Sequence, residues 1–266
     1  MAELRYVHGY APEELDRLVG SANTLAALLH GDTRYPPGAR VLEAGCGVGA
    51  QTRHLYERCP GVDIVSIDLA RPSLMRAKAA LGDVVAFVQA NLYALPFGER
   101  VFDHIFLCYV LEHLSDPLGA LQHLRALLKP GGTISAIEGD HGSAFWHPET
   151  AAARAAWACL QQLQTQGGGD GHIGRRLHAL FRASGAVDIQ VKPLPVYCDP
   201  TLPDMMDGFA DKTIVGMLKG IEAEVLARNM IARDLWHQGV QDLLDLAHGD
   251  EGSFMYTFFR ATALYA

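Results

Sequence analysis

The chain has 266 residues, 49% of them hydrophobic, enough for one substantial core, and its 22 basic residues against 30 acidic ones leave a net charge of −8. That balance, with no Lys/Arg run to track a phosphate backbone, argues against nucleic acid as a partner, and no apolar run approaches the ~18 residues of a membrane span. The opening MAELRYVHGYAPEELDRL lacks the charged-then-apolar layout of a secretion signal, so a cytoplasmic location is expected. Cys46, Cys59, Cys108, Cys159 and Cys198 are scattered and never form a C-x-x-C pair, which predicts reduced thiols and no metal site.

In chain order, apolar residues recur at helical spacing from Pro12 to about His30, at Leu15, Leu18, Val19, Ala22, Leu25, Ala26 and Leu29. TRYPPGA breaks this helix, a strand starts at Arg40, and a helix from Ala50 to about Arg58 follows. VDIVSID, VVAFVQA and FDHIFLCYV read as strands alternating with the helices RPSLMRAKAAL and DPLGALQHLRALL, and KPGG makes a turn into the strand TISAIEG. This rhythm predicts an α/β fold, a doubly wound, mostly parallel, seven-stranded sheet. Two further helices flank a GGGDG break at 167 to 171, and VDIQVKPLPVYCD and SFMYTFFRATALYA read as a last, antiparallel pair of strands. Residues 200 to 252 between them are far too many for a hairpin loop and predict a helical insertion with the apolar stripe Phe209, Ile214, Met217, Leu218, Ile221 and Val225. A single domain over 1 to 266 is therefore expected, with an N-terminal helical cap (1–37), a ligand-binding core (38–140) and the insertion (200–252) as a lid or the surface of a homodimer.

VLEAGCGVGAQT, residues 41 to 52, runs an apolar strand into a glycine-rich turn and carries an acid, Glu43, just ahead of it. Such a turn presents backbone N–H groups and permits close ligand approach. The run can be forced onto a dinucleotide fingerprint, with Asp68 where an acid gripping ribose hydroxyls belongs. Glu43 decides against that reading, because a carboxylate here repels a pyrophosphate and attracts a ligand that bears an ammonium group. A nucleoside carrying a charged amino acid fits.

Together, VLEAGCGVG, IVSID, VVAFVQANLYALPF, FDHIFLCYVLEHL and LKPGGTI resemble, in order and spacing over roughly residues 38 to 140, the class I S-adenosylmethionine-dependent methyltransferases. The resemblance implies S-adenosyl-L-methionine as cofactor, with Glu43, Gly45, Gly47 and Gly49 near its methionine part and Asp68 on the ribose diol. It further implies Asn91 at the adenine amine, where many relatives carry aspartate, Leu69 and Leu92 around the base, and Cys108 at the cofactor's edge. Tyr6 or Tyr10, in the YVHGY run, is placed to touch the methionine carboxylate, with Tyr6 the first candidate.

In such sheets ligands sit beyond the C-terminal strand ends, so the methyl acceptor is expected near residues that follow strands four and five. Cys108, Tyr109, Glu112 and His113 form one cluster, and Glu138, Asp140, His141, Trp146 and His147 the other, read as a loop leaving strand five. His141 is the candidate base, since histidine titrates near neutrality, with Asp140 orienting it and Tyr109 lining the methyl channel. Trp146, Glu112, His113 and Phe209 are the candidate substrate contacts. The acidic surface and apolar insertion favour a small, partly apolar, aromatic metabolite; the resemblance implies, as the leading reading, C- or N-methylation of an indole-type ring in natural-product tailoring. O-methylation of a small metabolite and a non-catalytic cofactor-binding protein are the alternatives, with a nicotinamide oxidoreductase behind them.

Overall fold

The computed structural model describes residues 12 to 266. Tyr6, Tyr10 and the rest of the YVHGY run lie outside the described residues, as do all of the first eleven residues of the expected N-terminal cap. The helices are α1 (Pro12–His30), α2 (Ala50–Arg58), α3 (Arg71–Leu81), α4 (Pro117–Ala126), α5 (Ala151–Gln166), α6 (Ile173–Ala183), the single turn α7 (Pro203–Met205), α8 (Gly216–Ala227) and α9 (Arg233–His248). The strands are β1 (Arg40–Ala44), β2 (Asp63–Asp68), β3 (Ala86–Gln89), β4 (Phe102–Cys108), β5 (Leu128–His147), β6 (Asp188–Cys198) and β7 (Ser253–Leu264). They form a seven-stranded sheet in the order β3-β2-β1-β4-β5-β7-β6, parallel except at β5-β7-β6. This is the fold class that the sequence predicts, with β7 inserted between β5 and β6.

The described residues divide into two compact units, one formed by residues 26–139, 172–194 and 258–266, the other by 12–25, 140–171 and 195–257. The first holds β1 to β4 with α2, α3, α4 and α6. Its core is the apolar run of central strands, Val41, Leu42, Ile67, Ile105, Phe106, Leu107, Ile134 and Ile137, as expected of parallel strands covered on both faces. α4 starts where Asp116 Oδ1 accepts the Gly119 N–H at 2.8 Å, with Pro117 in the first turn.

The second unit is mostly helical. In α1 Leu15, Ala22 and Leu25 are buried while Val19 is 38% exposed, so the stripe is narrower than the apolar pattern suggests. α5 is capped by Thr150 Oγ1, which accepts the Ala153 N–H at 3.0 Å. Residues 206–215, read from sequence as α-helix, form a π-helix, Met206–Val215. Phe209 and Ile214 are five residues apart and both buried, a spacing that shares a face when the backbone bonds run i to i+5. Thr213 Oγ1 donates to the Gly208 carbonyl at 2.8 Å, across the same interval.

β5 corrects the sequence reading twice. The Lys129–Gly132 stretch is a bulge and not a free turn: Phe102 faces Leu128 while His104 faces Thr133, and Gly131 has φ +77°. Residues 140–147, expected as a loop, continue the strand. The physical reason is β7, whose Thr257 N–H reaches Ser143 Oγ at 2.8 Å, a partner more than a hundred residues away in the chain. Among the described residues, no helix is long and apolar enough to cross a membrane.

Candidate functional site

Parallel register brings the expected cofactor residues to one edge. Ala44 lies beside Ile67, Asp68 beside Gln89, and β4 ends with Cys108 beside Ile137. The residues that follow, Gly45 to Gly49, Leu69, Asn91, Leu92 and Tyr109, therefore emerge together at the C-terminal ends of the strands. This is where an open α/β sheet binds its ligand.

The three glycines do different work. All have positive φ, +80° at Gly45, +52° at Gly47 and +79° at Gly49. A Cβ on Gly45 would lie 2.5 Å from Val110 Cγ2, and one on Gly49 would lie 3.0 Å from the Ala77 Cβ, so both are needed for packing. A Cβ on Gly47 would meet nothing within 4 Å. Gly47 is thus the glycine whose surface a ligand can approach, and its N–H donates to Asp68 Oδ2 at 2.8 Å. Asp68 Oδ1 accepts the Ala70 N–H at 2.8 Å, so one carboxylate ties the glycine turn to the start of α3 and retains lone pairs for hydroxyl donors. Burial raises its pKa against the pull of these N–H groups.

Glu43 is turned inward. It is 2% exposed, and its Oε2 accepts from Thr52 Oγ1 and Ser66 Oγ, both at 2.6 Å, joining β1 to α2 and β2. Burial pushes its pKa up to about 7. Asn91 Oδ1 accepts the Tyr93 N–H at 2.9 Å, an Asx turn that shapes the loop and leaves one lone pair. Leu69 is 46% exposed, an unusual place for a large apolar side chain and a suitable one for a base-stacking surface, and Leu92 is half-buried. Burial holds the Cys108 thiol protonated, its pKa well above the ordinary value.

Tyr109 stands at φ +59°, a left-handed conformation that costs a bulky residue about 1–3 kcal/mol and so marks a place where the fold insists on one side-chain direction. Its N–H donates to the Ile137 carbonyl at 2.9 Å and its ring lies 5.4 Å from that of Phe258. Glu112 is buried and His113 half-buried in the 3₁₀ turn Leu111–His113, with His113 Nε2 and Glu112 Oε1 3.6 Å apart. Beneath that turn lies Glu138, fully buried, which accepts the N–H groups of Val110 (3.1 Å), Leu111 (2.9 Å) and Glu112 (3.4 Å). The sequence singles out Glu138 only as one of a crowd, and its bracing of the 110–112 backbone is visible only in the fold.

Burial and the Glu112 charge outweigh those N–H bonds and push the Glu138 pKa up to about 8. An acid whose folded pKa exceeds its unfolded value binds extra protons when native. Its contribution is complete below the unfolded pKa and is lost as pH rises through the folded one. Thermal stability should therefore decline from about pH 5 to pH 8, where Glu43 and then Glu138 ionise. Glu138→Gln should flatten the upper part of that decline in unfolding scans, and an unchanged slope would show that Glu138 ionises normally.

Asp140, His141, Trp146 and Phe209 belong to the second unit. His141 is 6% exposed and held at three points: its N–H donates to the Gly171 carbonyl at 2.7 Å, its carbonyl accepts from Trp157 Nε1 at 3.0 Å, and its ring Nδ1 meets the Tyr256 hydroxyl at 2.8 Å. The Trp157 ring stands edge-on to the imidazole at 5.4 Å and 75°. Asp140, 2% exposed, accepts the Gly142 N–H through Oδ1 at 3.2 Å. Trp146 is buried, parallel to Phe254 with ring centroids 5.8 Å apart, and Phe209 packs against both Phe254 and Tyr256. His141 and Trp146 both face Trp157 although five residues apart, so strand alternation is broken between them; Ser143 Oγ donates to the Asp140 carbonyl at 2.7 Å within that break. Tyr256 and Trp157 were not singled out by the sequence, which carries no local signal that either meets His141.

Residues 42–136 match the family described as "Methyltransferase domain". The chain is 36% identical over 102 residues to the demethylmenaquinone methyltransferase of Thermus thermophilus, covering 37% of this chain and 46% of that protein. It is 30% identical over 106 residues to a sterol 24-C-methyltransferase of Gibberella zeae, covering 38% and 28%. The chain thus spans less than half the length of these curated relatives. Among solved structures, the Haemonchus contortus phosphoethanolamine N-methyltransferase 2 in complex with S-adenosyl-L-methionine matches the fold with a TM-score of 0.56 at 16% identity, over 91% of this chain and 52% of that one. With the glycine turn, Asp68 and the sheet order in place, residues 42–136 match a methyltransferase domain, and the chain has the sheet order of the methyltransferase fold.

Proposed function

We propose that the chain is an S-adenosylmethionine-dependent methyltransferase acting on a small, partly apolar, aromatic acceptor, with C- or N-methylation of an indole-type ring as the leading reaction. The observation that carries the reading is the pairing of Gly47 with Asp68: an open glycine beside an acid held by two backbone N–H groups. When bound, S-adenosylmethionine supplies an electrophilic methyl group on a sulfonium. Asp68 accepts hydrogen bonds from ribose hydroxyls, Leu69 and Leu92 flank the base, and Asn91 accepts from the adenine amine. Gly45 and Gly49 keep the turn closed against Val110 and Ala77 so that Gly47 presents its backbone, and Glu43 braces the strand below. Tyr109, aimed by its left-handed backbone, lines the path of the methyl group.

On the acceptor side His141 Nε2 takes the proton that an N–H or activated C–H acceptor must lose. Trp146 and Phe209, the last carried by the helical insertion 200–252, contact the acceptor. The aromatic character assigned to the acceptor is supported by the gathering of Trp146, Trp157, Phe209, Phe254 and Tyr256. The buried Trp146 Nε1–H has no acceptor among the described residues, and an orphaned buried donor costs about 1–3 kcal/mol unless a ligand or water satisfies it.

Calorimetry with S-adenosylmethionine, S-adenosylhomocysteine and NADH tests the cofactor, and labelled methyl transfer to a panel of aromatic metabolites tests the reaction. Asp68→Ala should weaken S-adenosylmethionine binding by ~1.5–3 kcal/mol, the scale of hydrogen bonds to a charged group. Wild-type affinity in that variant would remove the cofactor site from this edge of the sheet.

A further inference from the structure

We infer that Tyr256 is a positioning residue for His141, fixing the imidazole as the tautomer that carries its proton on Nδ1 and presents Nε2 as the base. The inference rests on the proposed role of His141 in proton removal. Its observations are geometric: the Tyr256 hydroxyl lies 2.8 Å from Nδ1, both side chains are buried, and the His141 main chain is clamped by Gly171 and Trp157.

The clamp decides what Tyr256 can do. With N–H and carbonyl of His141 fixed and the Trp157 ring against one side, the Tyr256 hydroxyl meets an imidazole whose backbone is already placed. A Cβ on Gly171 would come within 2.7 Å of the His141 Cδ2, so glycine is required there for the ring to keep this place. A phenol oxygen can accept a hydrogen bond from Nδ1–H, and it still accepts that bond once Nε2 has taken a proton. One contact thereby serves both states of the base, a role that the sequence suggests for Asp140. Tyr256 is itself held, its ring 6.0 Å from that of Phe209 at 65°, so Tyr256→Phe removes the oxygen and leaves the packing.

The test is nitrogen NMR of protein labelled in its histidines, in wild type, Tyr256→Phe and His141→Ala, the last to assign the signals, together with turnover of each. The expected result is Nδ1–H with an unprotonated Nε2 for neutral His141 in wild type, proton density moving to Nε2 in Tyr256→Phe, and a roughly 10- to 100-fold lower kcat in that variant with KM little changed. A wild-type Nε2–H tautomer, or the same nitrogen pattern with and without the hydroxyl, overturns the inference while leaving His141 as base. Undiminished turnover in His141→Ala overturns the base and, with it, the role of Tyr256. The nitrogen pattern is read without any methyl acceptor, so it decides the positioning claim even if the panel contains no substrate.

Discussion

His141→Ala is expected to lower turnover by roughly 10²- to 10⁴-fold, the range for loss of a general base, while leaving S-adenosylmethionine affinity nearly unchanged. Affinity should hold because the cofactor residues leave the ends of β1 to β4, whereas His141 lies within β5. The imidazole is buried against Trp157 and Tyr256, so alanine also opens a cavity and lowers stability. His141→Gln separates the effects: it restores part of the volume and a hydrogen-bonding group, but no nitrogen that takes a proton. If both variants turn over within about threefold of wild type, proton removal by His141 is wrong and catalysis is alignment alone. Tyr109 and Trp146 then carry the reaction as positioning residues.

Gly45→Val should be the most damaging change in the glycine turn for folding, by more than ~3 kcal/mol in urea unfolding, because two faults coincide. Its φ of +80° is a region that β-branched residues avoid, and the new Cβ would overlap the side chain of Val110, which opens the 3₁₀ turn that Glu138 braces. Gly47→Ala should behave in the opposite way. With open space around its Cβ, it should cost only about 1 kcal/mol of stability, while the methyl group stands where a ligand must approach. Calorimetry should therefore show weakened cofactor binding in the folded Gly47 variant. A Gly45→Val protein of wild-type stability, or a Gly47→Ala protein with full affinity, would contradict this division of labour.

The amino-acid sequence by itself determined the fold class, most of the element types and the gathering of the glycine turn, Asp68 and Asn91 at one edge of the sheet. Apolar periodicity and the glycine spacing at 45, 47 and 49 are local, and in a parallel sheet the residues after each strand end must meet at one edge. Tertiary structure decided the rest. It distinguished Gly47 from its two neighbours, because that depends on Val110 and Ala77 and not on the turn. It kept residues 140–147 in a strand through pairing with β7, and wound 206–215 as a π-helix where apolar spacing alone reads as α. It also set Tyr256 against His141, 115 positions apart in the chain. Contacts of such separation leave no trace in local pattern, since either residue satisfies its own strand equally well with or without the other.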